Sequence, residues 1–241
     1  MSLLNCAINH SHVFDQWKCV ANLMIKKSSN STKISKLRVL HLYEAGMNAL
    51  YAMKYRKIIH HAVDNHLIHP CQFGGIPGRD SIAPVLMPEL HNKITRLTSK
   101  SIITLDFDAA SCYDRICPNL ASIISRSFGQ NSKICFLHAR HLRQAKCFLK
   151  TQFGLSKVYF SHSRQSPIFG VGKGSTAAPT IWVVVSSRIF EIHENHAFGA
   201  RFRSPDHSVD TSVTMVGFVD DCHGSINDFE SNYVPVHKLM K

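Results

Sequence analysis

Val213-Thr214-Met215-Val216-Gly217-Phe218-Val219-Asp220-Asp221 is an apolar, strand-like run that ends in two adjacent carboxylates, followed by the turn-like Cys222-His223-Gly224. Two carboxylates side by side at a strand tip repel each other unless a cation lies between them. A hard divalent ion with oxygen ligands is the usual resolution. Taken alone, such a pair is more often a solvated loop, so its meaning depends on what else the chain carries.

A second acidic run stands earlier, Leu105-Asp106-Phe107-Asp108-Ala109-Ala110-Ser111-Cys112-Tyr113-Asp114-Arg115. Residues two apart on a strand share a face, so Asp106 and Asp108 point the same way. A buried strand that ends in acids needs a cation or a basic partner. If this strand lies beside the one ending in Asp220-Asp221, three carboxylates come within reach of a shared metal pair. Two-metal sites serve phosphoryl transfer. Between the acids lies Gly170-Val171-Gly172-Lys173-Gly174-Ser175. Its alternate glycines would let the backbone approach a ligand closely, and the start of the helix that follows favours an anion. The spacing is neither a Walker loop nor a dinucleotide fingerprint, and many glycine-rich loops are plain turns.

The formal net charge is +12, from Lys+Arg 28 against Asp+Glu 16 over 241 residues. So basic a chain usually meets a polyanion, most often nucleic acid. A hydrophobic content of 44% allows a packed core. No apolar stretch approaches the ~18 residues of a membrane span, and Met1-Ser2-Leu3-Leu4-Asn5 has no basic start or long apolar run of a secretory signal. The expected location is intracellular, cytoplasmic or nuclear, without secretion or membrane partner. The 8 cysteines form no Cys-x-x-Cys pair and read as reduced thiols filling the core. His60, His61, His66, His69 and Cys71 crowd together, but their spacing fits no closed tetrahedral zinc site; a polar helix end is the simpler reading, as it is for His193 and His196.

Apolar spacing organises the rest. Cys19 to Ile25 and Lys33 to Leu42 read as strands of a basic hairpin around the polar turn Lys26 to Ser31. Val13 to Trp17 reads as a short helix or entry turn, and Ala45 to Leu67 as one long helix. Ser81 to Leu97 is helix-like, with Pro84 and Pro88 expected to kink or delay it. Ser101 to Asp108 is a strand, and Pro118 opens a helix to Phe128. Ser132 to Leu149 reads as a basic helix, Gly154 to Phe160 as a strand and Thr180 to His193 as a helix. Gly199 to Asp210 reads as an irregular polar loop, and Val213 to Ile226 as a closing hairpin. The mixture is α+β.

In their order these pieces resemble the palm of reverse transcriptases, in the manner of non-LTR retrotransposon and group II intron proteins. Asp108 to Asp114 resembles the family's first acidic motif, with Cys112 at its small position and Tyr113 at its aromatic one. Phe218-Val219-Asp220-Asp221 resembles the aromatic-x-Asp-Asp hairpin, and Gly170 to Pro179 the loop that touches the templating base and the incoming nucleotide. Gln72-Phe73-Gly74-Gly75-Ile76-Pro77-Gly78-Arg79 resembles the Gln-x-Gly-x-x-Pro-Gly-Arg segment, and Leu37-Arg38-Val39-Leu40 the fingers strand whose Arg meets the triphosphate.

The resemblance implies a right-hand polymerase: a fingers-like region over 1–100, with its basic hairpin at 19–42, and a palm over 101–241. The palm sheet is expected to be antiparallel, to have helices on one face, and to pair 101–108 with 213–226. Asp108, rather than Asp106, is implied as a catalytic metal ligand with Asp220 and Asp221, for two Mg²⁺ ions that Mn²⁺ could replace. Tyr113 is implied as the residue that excludes a ribose 2′-hydroxyl. Arg38, Lys26, Gly170, Gly172, Lys173 and Gly174 are implied around the nucleotide, and Gln72, Gly74, Arg79, Arg140 and Arg143 along template and primer. The expected partners are an RNA template, a DNA primer and dNTPs.

Gly172-Lys173 stands where the family usually has Pro-Gln, and Ala178-Pro179 where it has Ser-Pro. Gly172 loosens the loop relative to Pro, and Lys173 cannot accept a hydrogen bond. Twenty residues follow Asp221, so the thumb and later palm motifs are expected to be missing. Two other readings stand beside the RNA-directed DNA polymerase. One is an RNA-directed RNA polymerase, which Tyr113 opposes. The other is a catalytically dead, nucleic-acid-binding remnant of a retroelement.

Overall fold

The computed structural model describes residues 3–26, 37–109, 111–165, 167–168, 170–197 and 199–227. The turn expected after Lys26 and the start of the second hairpin strand lie outside them. In chain order the elements are α1 (Leu3–His10), a 3₁₀ turn at Asp15–Lys18, β1 (Cys19–Lys26), β2 (Leu37–Leu42), α2 (Ala45–Asp64), α3 (Ile82–Leu97), β3 (Ile102–Asp108), α4 (Cys112–Arg115) and α5 (Pro118–Ser127). Then come α6 (Ser132–Gln144), β4 (Lys146–Thr151), β5 (Gly154–Ser161), α7 (Ala178–His196), β6 (Ala200–Arg203), β7 (Asp210–Val213), β8 (Met215–Phe218) and β9 (Asp221–Asn227). The architecture is α+β. It divides into two compact units, Met1–Leu67 with Ser111–Val185, and Ile68–Ala110 with Ser186–Lys241.

The first unit holds a mixed sheet of order β2-β1-β4-β5. β1 pairs antiparallel with β2 and parallel with β4. Glu44 accepts from Met47 N at 2.9 Å at the start of α2, and Asn131 accepts from Lys133 N at 2.8 Å at the start of α6. Each satisfies a backbone donor that the first helical turn leaves open. The basic helix expected over Ser132 to Leu149 is shorter than that. It stops at Gln144, Ala145 turns extended, and Lys146–Thr151 becomes β4. Burial of Cys147 and Ala145 against Val20 of β1 decides this, a contact far off in sequence that outweighs helical spacing.

The second unit holds a sheet of order β3-β9-β8 and the two-stranded β6-β7. The polar loop expected over Gly199 to Asp210 is in part this small hairpin. Arg201 and Arg203 of β6 both bond the Asp210 carboxylate of β7, at distances from 2.6 to 3.1 Å. Asn227 of β9 bonds the backbone of Arg201 through both ends of its amide, at 2.9 and 3.0 Å. α3 forms despite its prolines. Asp80 accepts from Ile82 N and Ala83 N at 2.9 and 3.0 Å, Pro84 falls in the first turn where no N–H is required, and Pro88 removes a single bond.

α3 lies over the sheet face that carries Asp106 and Asp108, where His91 meets Ser225 Oγ at 3.4 Å. Phe190 of α7 covers the other face at Gly217, where a Cβ would lie 2.4 Å from its ring. Helices therefore meet both faces of this sheet rather than one, because the side-chain-free Gly217 lets an aromatic ring reach the strand.

Candidate active site

β3 and β9 run antiparallel and bring the two acidic runs together. Asp108 is the register partner of Asp221, and Asp106 of His223. Directly opposed Cα atoms in such a pair lie about 4.5–5.5 Å apart. Ala109 N donates to Asp220 O at 3.1 Å, which ties the turn to the end of β3. Asp108 and Asp221 are exposed and Asp220 is half-buried. Between β8 and β9, Val219 holds φ at 57°, a left-handed conformation rare for a β-branched residue.

Asp106 takes a different role from Asp108: His223 Nδ1 bonds its carboxylate at 2.6 Å. His223 Nε2 is buried and has no hydrogen-bond partner among the described residues. Burial pushes the Cys222 thiol up to about 11, and the neighbouring Asp221 and Asp220 carboxylates add to the rise. A cleft of about 460 Å³ opens along this face, lined among others by Ser81, Val85, Asp106, Asp108, Asp221 and His223. β3 was expected to be buried; instead Ile103, Leu105 and Phe107 are 37, 54 and 46% exposed. Among the described residues it is an edge strand of its sheet.

Among the described residues no group of three or more His, Cys, Asp or Glu side chains converges closely enough to hold a metal ion. The acids offer hard oxygen donors in a facing pair. Mg²⁺ is commonly held by one or two carboxylates, with waters and substrate phosphates completing its shell. A pair at this register is compatible with that chemistry and with no all-protein cage. The His60–Cys71 group likewise forms no metal site; His69 Nε2 bonds Glu194 at 2.9 Å.

The residues expected around the nucleotide belong to the other unit. The glycine loop packs against its own protein. Added Cβ atoms at Gly170, Gly172 and Gly174 would lie 2.6 Å from Tyr113 O, 1.8 Å from the Tyr43 hydroxyl and 2.3 Å from His41 O. All three have positive φ, 88°, 77° and 112°. His41 N donates to Lys173 O at 2.7 Å, and Val171 N to Tyr113 O at 2.8 Å. The close approach expected toward a ligand is made to β2 and to the segment after β3. Burial holds His41 below the usual histidine range, with its bond to Lys173 O opposing. Tyr113 is half-buried and meets Trp182 edge-on at 6.4 Å.

Arg38 and Lys26 are both exposed, but Arg38 stands opposite Ile25 and Lys26 opposite Leu37. The two cations therefore lie on opposite faces of the hairpin. Arg140 and Arg143 line a groove of about 610 Å³ between α5 and α6, with Arg126 and the exposed Phe136. His41, Tyr43 and His223 were not singled out from the sequence; their only signal there is a polar or aromatic residue two or three positions from a motif.

No protein-family model matches the chain, and no curated protein matches it. Solved structures do. Apo telomerase from Candida tropicalis, truncated from its C-terminal domain, aligns with TM-score 0.56 at 12% identity, covering 98% of this chain and 49% of that one. Telomerase from Candida tropicalis in complex with a TWJ fragment of telomeric RNA aligns with TM-score 0.58 at 12% identity, covering 95% and 38%. The fold is similar to that of part of these telomerases. Telomerase from Candida albicans, also in complex with a TWJ fragment, aligns with TM-score 0.53 at 12% identity, covering 96% and 41%. At this identity the likeness is one of fold, and the chain spans less than half the length of these telomerases. Within this fold, Asp108 and Asp221 occupy facing positions on adjacent strands.

Proposed function

We propose that the chain is the fingers and palm of a retroelement RNA-directed DNA polymerase. The observation that carries this reading is the register of Asp108 against Asp221, with Asp220 in the adjoining turn, inside a fold similar to that of part of a telomerase. The reaction is attack of a primer 3′-hydroxyl on the α-phosphate of a deoxynucleotide, releasing pyrophosphate. Asp108, Asp220 and Asp221 would hold Mg²⁺, which when bound supplies charge neutralisation at the phosphates and activation of the attacking oxygen. The chain's own part is positioning. Facing carboxylates on paired strands are held without reorganisation, and preset geometry of this kind supplies much of the catalysis. Arg38 presents a planar fork suited to phosphate oxygens, and Tyr113 is the residue that the family resemblance assigns to screening the sugar. Arg140 and Arg143 bind the nucleic-acid backbone.

Primer extension on poly(rA)/oligo(dT) with magnesium tests the reading. The expected outcome is incorporation of dTTP, preferred over UTP, and its loss in Asp220→Ala. Extension that survives Asp220→Ala removes the site assignment, and a preference for UTP turns the reading to an RNA-directed RNA polymerase. A second reading, a nucleic-acid-binding remnant without catalysis, is favoured by Lys173, which cannot accept a hydrogen bond where the family usually has Gln. Template binding without extension by the wild type would select it.

A further inference from the structure

The segment Cys71 to Arg79 is knitted into the strand that leads to the acids. Phe73 N donates to Gly217 O at 2.8 Å, and Gly217 N donates to Cys71 O at 2.9 Å. This two-way exchange sits on the edge of β8. Gln72 at its centre is wholly buried. Its Nε2 donates to Ser186 Oγ of α7 at 2.6 Å, and its Oε1 accepts from Gly74 N at 3.1 Å. Arg79 closes the loop: its Nη1 donates to the carbonyls of His69 and Pro70 at 3.0 and 3.1 Å and to that of Gln72. Its guanidinium stands 5.7 Å over the Phe73 ring.

These bonds seat Gly74 on the acidic turn. A Cβ there would lie 2.1 Å from Val219 N and 2.6 Å from Val219 Cγ2. Only a residue without a side chain fits, so the Gly74 backbone packs directly against that of Val219. Val219 is the residue held at φ 57°, and the peptide it shares with Asp220 sets the direction of both acids. Asp220 O in turn receives Ala109 N at 3.1 Å, so the same turn fixes the last contact with β3.

We infer that Gln72, Gly74 and Arg79 form a buckle that imposes the left-handed turn at Val219 and thereby aims Asp220 and Asp221. They act as positioning residues. The buried amide of Gln72 and the carbonyl-bound Nη1 of Arg79 are directed at the protein rather than at a template. The kinetic consequence rests on the polymerase reading above; the structural one does not.

Gly74→Ala, Arg79→Gln and the double variant Gly74→Ala/Val219→Gly test this in the full chain. The conformation of Val219 is read by its amide–Hα coupling and 13Cα shift, and activity by primer extension resolved into kcat and KM. In Gly74→Ala and Arg79→Gln the Val219 coupling leaves its left-handed value. kcat falls by about 100-fold, the scale of a misplacement near 1 Å, while KM and the affinity and salt slope for template-primer stay unchanged. Val219→Gly restores only part of the lost kcat to Gly74→Ala: glycine accepts the turn without the buckle, but the added Cβ still meets the backbone nitrogen at position 219. Unchanged Val219 coupling in both single variants overturns the proposal. So does weakened template binding with kcat intact, which would return these residues to nucleic-acid contact. Should Gly74→Ala fail to fold, the half-buried Arg79 carries the same comparison through Arg79→Gln. A wild type that extends no primer while the coupling shifts in the variants leaves the buckle standing and removes the polymerase reading.

Discussion

Gly172 and Tyr43 show how much a single position decides. A Cβ at Gly172 would fall 1.8 Å from the Tyr43 hydroxyl, and the residue holds φ at 77°. Gly172→Ala is expected to lower the thermal midpoint, since the left-handed backbone alone costs an L-residue about 1–2 kcal/mol. Tyr43→Phe in the same chain should recover part of that loss, because the hydroxyl is the colliding atom; a melt that moves equally with and without it would place the cost wholly in the backbone. The alternating glycines were visible in the sequence as a close-approach loop. What they approach was not, because Tyr43 and His41 lie more than a hundred residues earlier. Asp106 and Asp108 are similar: both belong to one strand face, and only the register with β9 gives His223 to the first and Asp221 to the second.

At the scale of elements, α2 and α6 meet through buried tyrosine–histidine pairs. The Tyr51 hydroxyl lies 3.2 Å from His141 Nδ1, and His141 Nε2 lies 2.9 Å from Trp17 O. A carbonyl only accepts, so Nε2 carries the proton and Nδ1 accepts from Tyr51. The Tyr55 hydroxyl lies 3.2 Å from His138 Nδ1. Burial pushes His138 down to about 3 and His141 down to about 4, against an ordinary 6.5. Both are therefore neutral in the fold and take up protons on unfolding below pH 6.5. Their contribution is full above that value and is lost as pH falls toward 4 and then 3. The slope of unfolding free energy should approach roughly 2.7 kcal/mol per pH unit within that window, about 1.36 for each proton. Urea titrations across it should show the slope about halved in His138→Phe. Helical spacing marked α2 correctly, whereas the end of α6 escaped it. Residues 145–149 are compatible with a helix by local pattern, and pairing with β1 overrides that.

For the whole molecule, the net charge of +12 is a long-range property, and on a nucleic acid it would act through counterion release. Replacing Arg140 and Arg143 with alanine should reduce the slope of log K against log salt by about 1.4–1.8, at roughly 0.7–0.9 for each phosphate contact. Fluorescence anisotropy of a labelled template-primer across salt concentrations measures it, and an unchanged slope would remove the α5–α6 groove from the nucleic-acid path. By itself the sequence determined the charge, the α+β composition, the position of most helices and strands, and the two acidic runs. These follow from local chemistry: periodicity, proline and glycine placement, and ionisable side chains. Tertiary structure alone decided that Asp108 faces Asp221, that Lys26 and Arg38 lie on opposite faces, that the glycine loop leans on its own strands, and that residues 71–79 fasten the acidic turn. Strand register, β-strand addition and backbone close approach are set by hydrogen bonds between segments far apart in the chain. No local pattern records which partner such a segment will find.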